Sequence, residues 1–332
     1  MTPKIYVTAG GSPVSAMFYD RLIEATVRDE AGQESDSFEA TFDDRNNEIA
    51  LPAEGAVLEV FLGYVETGIT MVGRYIVDSV RCHGDDDGEK VTITARSADV
   101  REDMKEPLSE HFENQTIGQI MDTLASRNKV QAAVSSELAS IKIPYIARID
   151  QSTLDFATRI ADRFGGLFAP KGGKFVMMKR GTGKNFAGLT IAPILIQKSD
   201  CSDWDITPHP RPSYGKVTGK WLNRKTGKLE FESESTGREG PERFLRHPLP
   251  SQDEAKHMAG SDAERLNRAT GSGHFTVAGR ASAMAEADVI PSGFRPEINT
   301  LWRAATVEHK FSDSGFLTTV EVEAPESGGR QS

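Results

Sequence analysis

The residues best equipped for chemistry fall into three short clusters. Cys82-His83, followed by Asp85, Asp86 and Asp87, combines thiol, imidazole and carboxylate, the donor types that hold zinc. Structural zinc needs about four convergent ligands, usually from two spaced pairs. Here the acidic run lies between Gly84 and Gly88, and a solvated hairpin tip is the simpler reading. Gly181-Thr182-Gly183-Lys184 glances at a phosphate-binding loop, but the leading glycine of that pattern falls on Met178 and the magnesium-binding hydroxyl on Asn185. The third cluster is basic: Lys216, Lys220, Arg224, Lys225 and Lys228, then Arg238, Arg243, Arg246 and His247. It could face an acidic partner or DNA, although a locally charged surface is the favoured reading.

No other constellation stands out. His111, His209, His247, His257, His274 and His309 have no spacing that sets two on one helical face, and only His257 falls in a helical pattern. H-E-x-x-H, G-x-S-x-G and spaced C-x-x-C motifs are absent from the sequence. Carboxylates are plentiful enough for glycoside cleavage, yet acid abundance alone describes a solvated surface. No catalytic, cofactor-binding or metal-ligating residue is therefore assigned, no cofactor is expected, and the chain is read as a non-enzyme.

The 332 residues call for two or three domains. Cys82 and Cys201 are the only cysteines and imply no disulfide framework. A net charge of −10 opposes general phosphate binding and suits a protein that lets DNA pass without sticking. No apolar run nears the roughly 20 residues of a membrane span, and the start, Met1 to Thr8, lacks a signal-peptide pattern. Folding in a cytoplasm is expected.

Positioning elements come in three textures. The first hundred residues alternate with period two, as in Phe38 to Asp43 and Ala56 to Leu62, around the Pro52–Gly55 loop. A long hairpin follows, Arg74 to Arg81 against Lys90 to Ala95. Next, Thr116 caps a helix with Ile117, Ile120, Met121, Leu124 and Ala125 on one face, and Ser152 caps another with Leu154, Ala157, Ile160, Ala161 and Phe164. Leu167 to Ala169 and Phe175 to Met178 form a hairpin after it. Strands return at Tyr214 to Trp221 and Lys228 to Phe231, a helix carries Ala255, Met258, Ala259, Ala263 and Leu266, and strands resume at His274. The last hairpin, Ala305 to Lys310 and Phe316 to Ala324, echoes the earlier one. Val77-Asp78 with Val91 to Ala95 looks like Val307-Glu308 with Thr319 to Ala324.

These residues resemble the late control D family, the baseplate hub proteins of contractile-tailed phages, related to the hub part of type VI secretion spikes. The resemblance rests on Leu51 to Ala56, Gly73-x-Tyr75-x-Val77-Asp78, Val91 to Asp99, Thr116 to Ile120, Ile149 to Ala161, Phe164 to Gly166 and Trp302 to His309. It implies a mainly β fold with two small antiparallel barrels flanking a compact α+β unit. The expected divisions are 1–104 for the first hub barrel, 105–198 for the α+β unit, 199–326 for the second barrel with a helical insertion, and a frayed tail at 327–332. The implied role is a homotrimeric, pseudo-six-fold ring between a hexameric tail tube and a trimeric spike. Other baseplate proteins are implied as partners, with the tape-measure protein a further candidate. DNA is only passing cargo, no stable membrane insertion is expected, and the expected location is the virion tail baseplate, after assembly in the host cytoplasm. The spike is expected to be a separate chain. A tail-associated cell-wall hydrolase and a DNA-binding late regulator are the alternative readings.

Overall fold

The computed structural model describes residues 1–31, 36–86, 88–97, 102–171, 174–183, 190–208 and 214–325. Asp87 of the acidic tip, Ala98 and Asp99 of the family-like segment, the turn at 172–173, Lys184, His209 and the 327–332 tail lie outside them.

The first part contains β1 (Pro3–Ala9), β2 (Ser12–Pro13), α1 (Ala16–Arg21), β3 (Leu22–Glu30), β4 (Ser37–Asp43), β5 (Val57–Tyr64), β6 (Gly68–Asp85) and β7 (Gly88–Arg96). Period-two burial is plain in β4, where Phe38, Ala40 and Phe42 point inward, and in β7, where Val91, Ile93 and Ala95 do. These side chains join Val7, Val27, Val60, Leu62 and Tyr75 in one core.

The middle part has its own core. It contains β8 (Leu108–Thr116), α2 (Ile117–Arg127), β9 (Gln131–Val134), α3 (Ser136–Ala139), β10 (Lys142–Gln151), α4 (Thr153–Arg163), β11 (Gly166–Lys171) and β12 (Lys174–Lys179). Thr116 and Gln119 close a reciprocal capping box on α2, and the Ser152 hydroxyl accepts the Asp155 amide on α4. The apolar stripe expected on α2 is buried, and of that expected on α4 Ala157, Ile160, Ala161 and Phe164 are buried and Leu154 half-buried, packed around Phe112 and Phe156 with ring centres 5.7 Å apart.

The last part contains β13 (Ile194–Gln197), β14 (Cys201–Pro208), β15 (Lys216–Asn223), β16 (Lys228–Ser235), β17 (Glu242–Phe244), α5 (Gln252–Arg268), β18 (Gly271–Ala278), β19 (Asp288–Ser292), β20 (Trp302–Ser312) and β21 (Gly315–Glu323). The insertion β15–β17 with α5 packs around Val217, Ala259 and Ala263, as the helical pattern anticipates. A separate core gathers Phe275, Val277, Val289, Trp302, Val307, Val320 and Val322.

The chain is mainly β, and its first and last parts share a single 13-stranded sheet. The expected pair of separate barrels is not drawn by the pairing. Among the described residues the path β14-β18-β21-β20-β3-β4-β7-β6-β5-β1-β2 stays open, with β13 and β19 branching off at β20. The reason is β3: instead of closing its own half, it lies antiparallel against β20 from Thr306↔Glu30 to Ser312↔Glu24.

Candidate functional site

What organises the molecule is a repeat. Within the first part the pairing order is β3-β4-β7-β6-β5-β1, and within the last it is β14-β18-β21-β20-β19-β13. Numbered along the chain with the two-residue β2 and the separate β15–β17 sheet left out, both run second, third, sixth, fifth, fourth, first. The senses agree as well, except that β1 meets β5 antiparallel whereas β13 meets β19 parallel.

Registers fix the correspondence. A bulge between Leu22 and Glu24 in β3 matches one between Cys201 and Asp203 in β14. Their partners across the ladder, Phe42 and Val277, therefore correspond. Phe42 pairs with Val91 and Val277 with Thr318, which places Ala95 on Val322. A second bulge gives the same answer independently: Val77 pairs with Ala95 before Ser79, and Ala304 pairs with Val322 before Thr306. The hairpin echo seen in the sequence is thus off register, because it set Val77 beside Val307 and Ala95 beside Ala324. Period-two patterns look alike after a slip of two residues, and a bulge leaves no compositional mark.

The site of interest is where the halves join. On the core face of β3 and β20, Ala25 lies opposite Phe311, Val27 opposite His309 and Asp29 opposite Val307. Ala25 and His309 are each only 2% exposed. His309 is neutral here. Thr318 Oγ1 accepts the Arg280 amide at 2.8 Å and lies within hydrogen-bond distance, 3.0 Å, of His309 Nδ1. Burial pushes the His309 pKa down to about 4, against a smaller upward pull from the Ala283 backbone.

Stability is therefore expected to fall with acid. Unfolding frees an imidazole that binds a proton near pH 6.5, while the folded one resists protonation to about 4. Its contribution is whole above pH 6.5 and disappears on the way down to 4, a loss of about 3 kcal/mol. Urea midpoints at pH 7.5 and 4.5 should differ less in His309→Gln than in the parent chain.

Several members of the clusters singled out for chemistry are otherwise engaged. Cys82 and His83 are consecutive in β6 and project to opposite faces, while Asp85 binds Lys90 at 2.7 Å. The Gly181 amide donates to Glu286 at 3.1 Å, and the Gly183 carbonyl accepts from Ile191 at 2.8 Å, so neither faces a phosphate. In the basic region Lys216 pairs with Glu242 at 3.1 Å and Arg243 with Asp262 at 2.7 Å, and Arg238 reaches Asn267 and Thr270. A cleft of about 780 Å³ between α4 and α5 is lined by Arg159, Arg163 and Arg265 among others. Arg163 there meets the buried Glu254, which ties α4 to α5, and Arg265 meets Asp262 within α5. Among the described residues no helix is long and apolar enough to cross a membrane.

The fold is shared with solved tail proteins. The 43 kDa tail protein of prophage MuSo2 from Shewanella oneidensis has the same fold, with a TM-score of 0.70 over 98% of this chain and 99% of that one at 16% identity. Residues 55–315 match the model of the phage tail baseplate hub (GPD) family. The chain is 31% identical to the probable baseplate hub protein of Escherichia phage P2 and 29% identical to that of Escherichia phage 186. Each alignment covers 97% of this chain and 93% of the relative. The chain belongs to the phage tail baseplate hub family, and as a baseplate hub protein it is a component of the virion tail.

Proposed function

We propose that three copies of the chain form a ring that joins a hexameric tail tube to a trimeric spike, a structural role without covalent chemistry. The repeated pairing order carries this reading. A trimer can offer six similar surfaces to a six-fold partner only if each chain supplies two. In this reading residues 1–104 form one repeated hub unit and residues 199–326, joined by β13 (Ile194–Gln197), form the other, each completed as a barrel wall only in the assembly. The rest of residues 105–198 stands beside the ring and reaches other baseplate proteins, the tape-measure protein among them. The net charge of −10 favours a lumen that repels passing DNA.

Co-expression with the tube and spike proteins of the same tail, followed by light scattering, tests the proposal. Three copies per complex are expected. A chain that stays monomeric beside both partners would refute it.

A further inference from the structure

Every junction in a ring of repeated halves needs one strand edge that gives and one that receives, and the chain makes one such junction internally. There β3 gives its edge and β20 receives it, alongside the shorter β19 contact at Asp288↔Arg303 and Val289↔Trp302. The register puts β14 where β3 stands and β6 where β20 stands. Among the described residues β14 pairs only with β18, so its outer edge is bare. Among the same described residues β6 pairs with β5 only as far as Ile76, and the same side of Ser79–Gly84 has no strand beside it.

We infer that β14 of one copy adds antiparallel to the Ser79–Asp85 segment of β6 in the next copy, repeating the β3–β20 junction between chains. This inference rests on the ring reading and gives its contacts. Carrying the internal register across places Trp204 opposite Gly84, Ile206 opposite Cys82, Pro208 opposite Val80 and Thr207 opposite Arg81.

The side chains suit that register. Core-face residues at the new junction are Trp204, Ile206 and Pro208 against Val80, Cys82 and Gly84, none of them charged. Bulk is exchanged rather than duplicated: Phe311 over Ala25 inside the chain becomes Trp204 over Gly84 between chains. Exposure also follows the prediction. Trp204 is 38% exposed where its counterpart Ala25 is 2% exposed, and Cys82 is exposed where its counterpart His309 is buried. An uncovered apolar edge of this kind invites pairing with another chain. On the opposite face Asp205 meets His83, and Asp203 meets Asp85. That like-charge contact is softened because Asp85 binds Lys90 at 2.7 Å.

A head-to-tail contact of this type closes a ring when its rotation divides a full turn. Internal and external junctions of equal geometry would need six steps, which three two-unit chains provide.

Cross-linking reads the register directly. In a Cys82→Ser, Cys201→Ser background, Arg81→Cys and Thr207→Cys together place thiols at exposed, directly opposed positions, within disulfide reach. Co-expressed with tube and spike proteins and oxidised, this variant should migrate as a covalent trimer that reverts to monomer with reductant. Each single variant should stay monomeric. Light scattering of the same samples separates the possible failures. A three-copy complex that does not cross-link, or that cross-links instead through Arg81→Cys with Asp203→Cys, overturns the register and leaves the ring standing. A monomer in both assays overturns both.

Discussion

Gly273→Val is expected to strip β14 from the sheet and abolish ring formation. Gly273 lies in β18 opposite Ile206. A Cβ there would sit 2.0 Å from the Asp205 carbonyl oxygen and 2.7 Å from the Ile206 Cα, both backbone atoms that cannot swing aside. Overpacking of this kind costs about 1–3 kcal/mol even where the surroundings relax. Relaxation here means moving the strand that offers the outer edge. Backbone amides of residues 201–208 should exchange faster with solvent, and the complex with tube and spike should lose its three-copy mass. Gly260→Ala on α5 is the matched control. Its Cβ meets only Glu234 Cγ at 3.9 Å, and a helical alanine gains up to about 1 kcal/mol. A Gly273→Val chain with fast-exchanging β14 amides and a normal trimer would show that this edge is not used.

The other large effect is local to the middle unit. Arg148 is 1% exposed, and its guanidinium makes four hydrogen bonds. It donates to Glu110 at 3.1 Å, to the Gln151 carbonyl at 2.8 Å, and to the Glu106 carbonyl and Thr153 hydroxyl at 3.3 Å each. Arg148→Ala removes a cation that satisfies four groups at once, and is expected to cost about 3–5 kcal/mol. Arg148→Lys should recover little, because an ammonium cannot span four acceptors arranged for a planar fork. Denaturant unfolding followed by probes in the middle unit and in the sheet would check it. The middle-unit transition should move to lower denaturant, while the sheet, with cores of its own, should move less.

The two cases show what a sequence exposes and what it hides. Helix faces were legible, since Thr116 and Ser152 cap the helices whose stripes they announce, and capping and 3.6-residue spacing are local properties. The final hairpin and the insertion helix were legible for the same reason. Arg148 was not: it stands in an alternating strand beside Ala147 and Ile149, and nothing nearby says that its partners come from residues 106, 110 and 153. Trp204 was hidden similarly between Asp203 and Asp205, a pattern shared by any exposed strand.

The sheet itself shows the deeper limit. Each hairpin could be read, and the first and last even recognised as similar, but the joining of β3 to β20 spans almost the whole chain. Long-range pairing leaves no periodic signature. Nor do the bulges at Asp78 and Ala305, which fix the register of the repeat. Family resemblance carried the functional reading where local pattern stopped, and strand order then gave that reading a physical basis. His309 illustrates the combination: one histidine among seven in the sequence, it gains significance only once β3 covers it.

The account stands or falls on symmetry. Averaged electron micrographs of the chain bound to its tube and spike, viewed along the tail axis, should show a ring of three chains. Its tube-facing side should carry a dominant six-fold harmonic and its spike-facing side a three-fold one. Six separate copies in that ring, or three copies with no six-fold component on the tube side, would contradict the idea that each chain presents its repeated half twice.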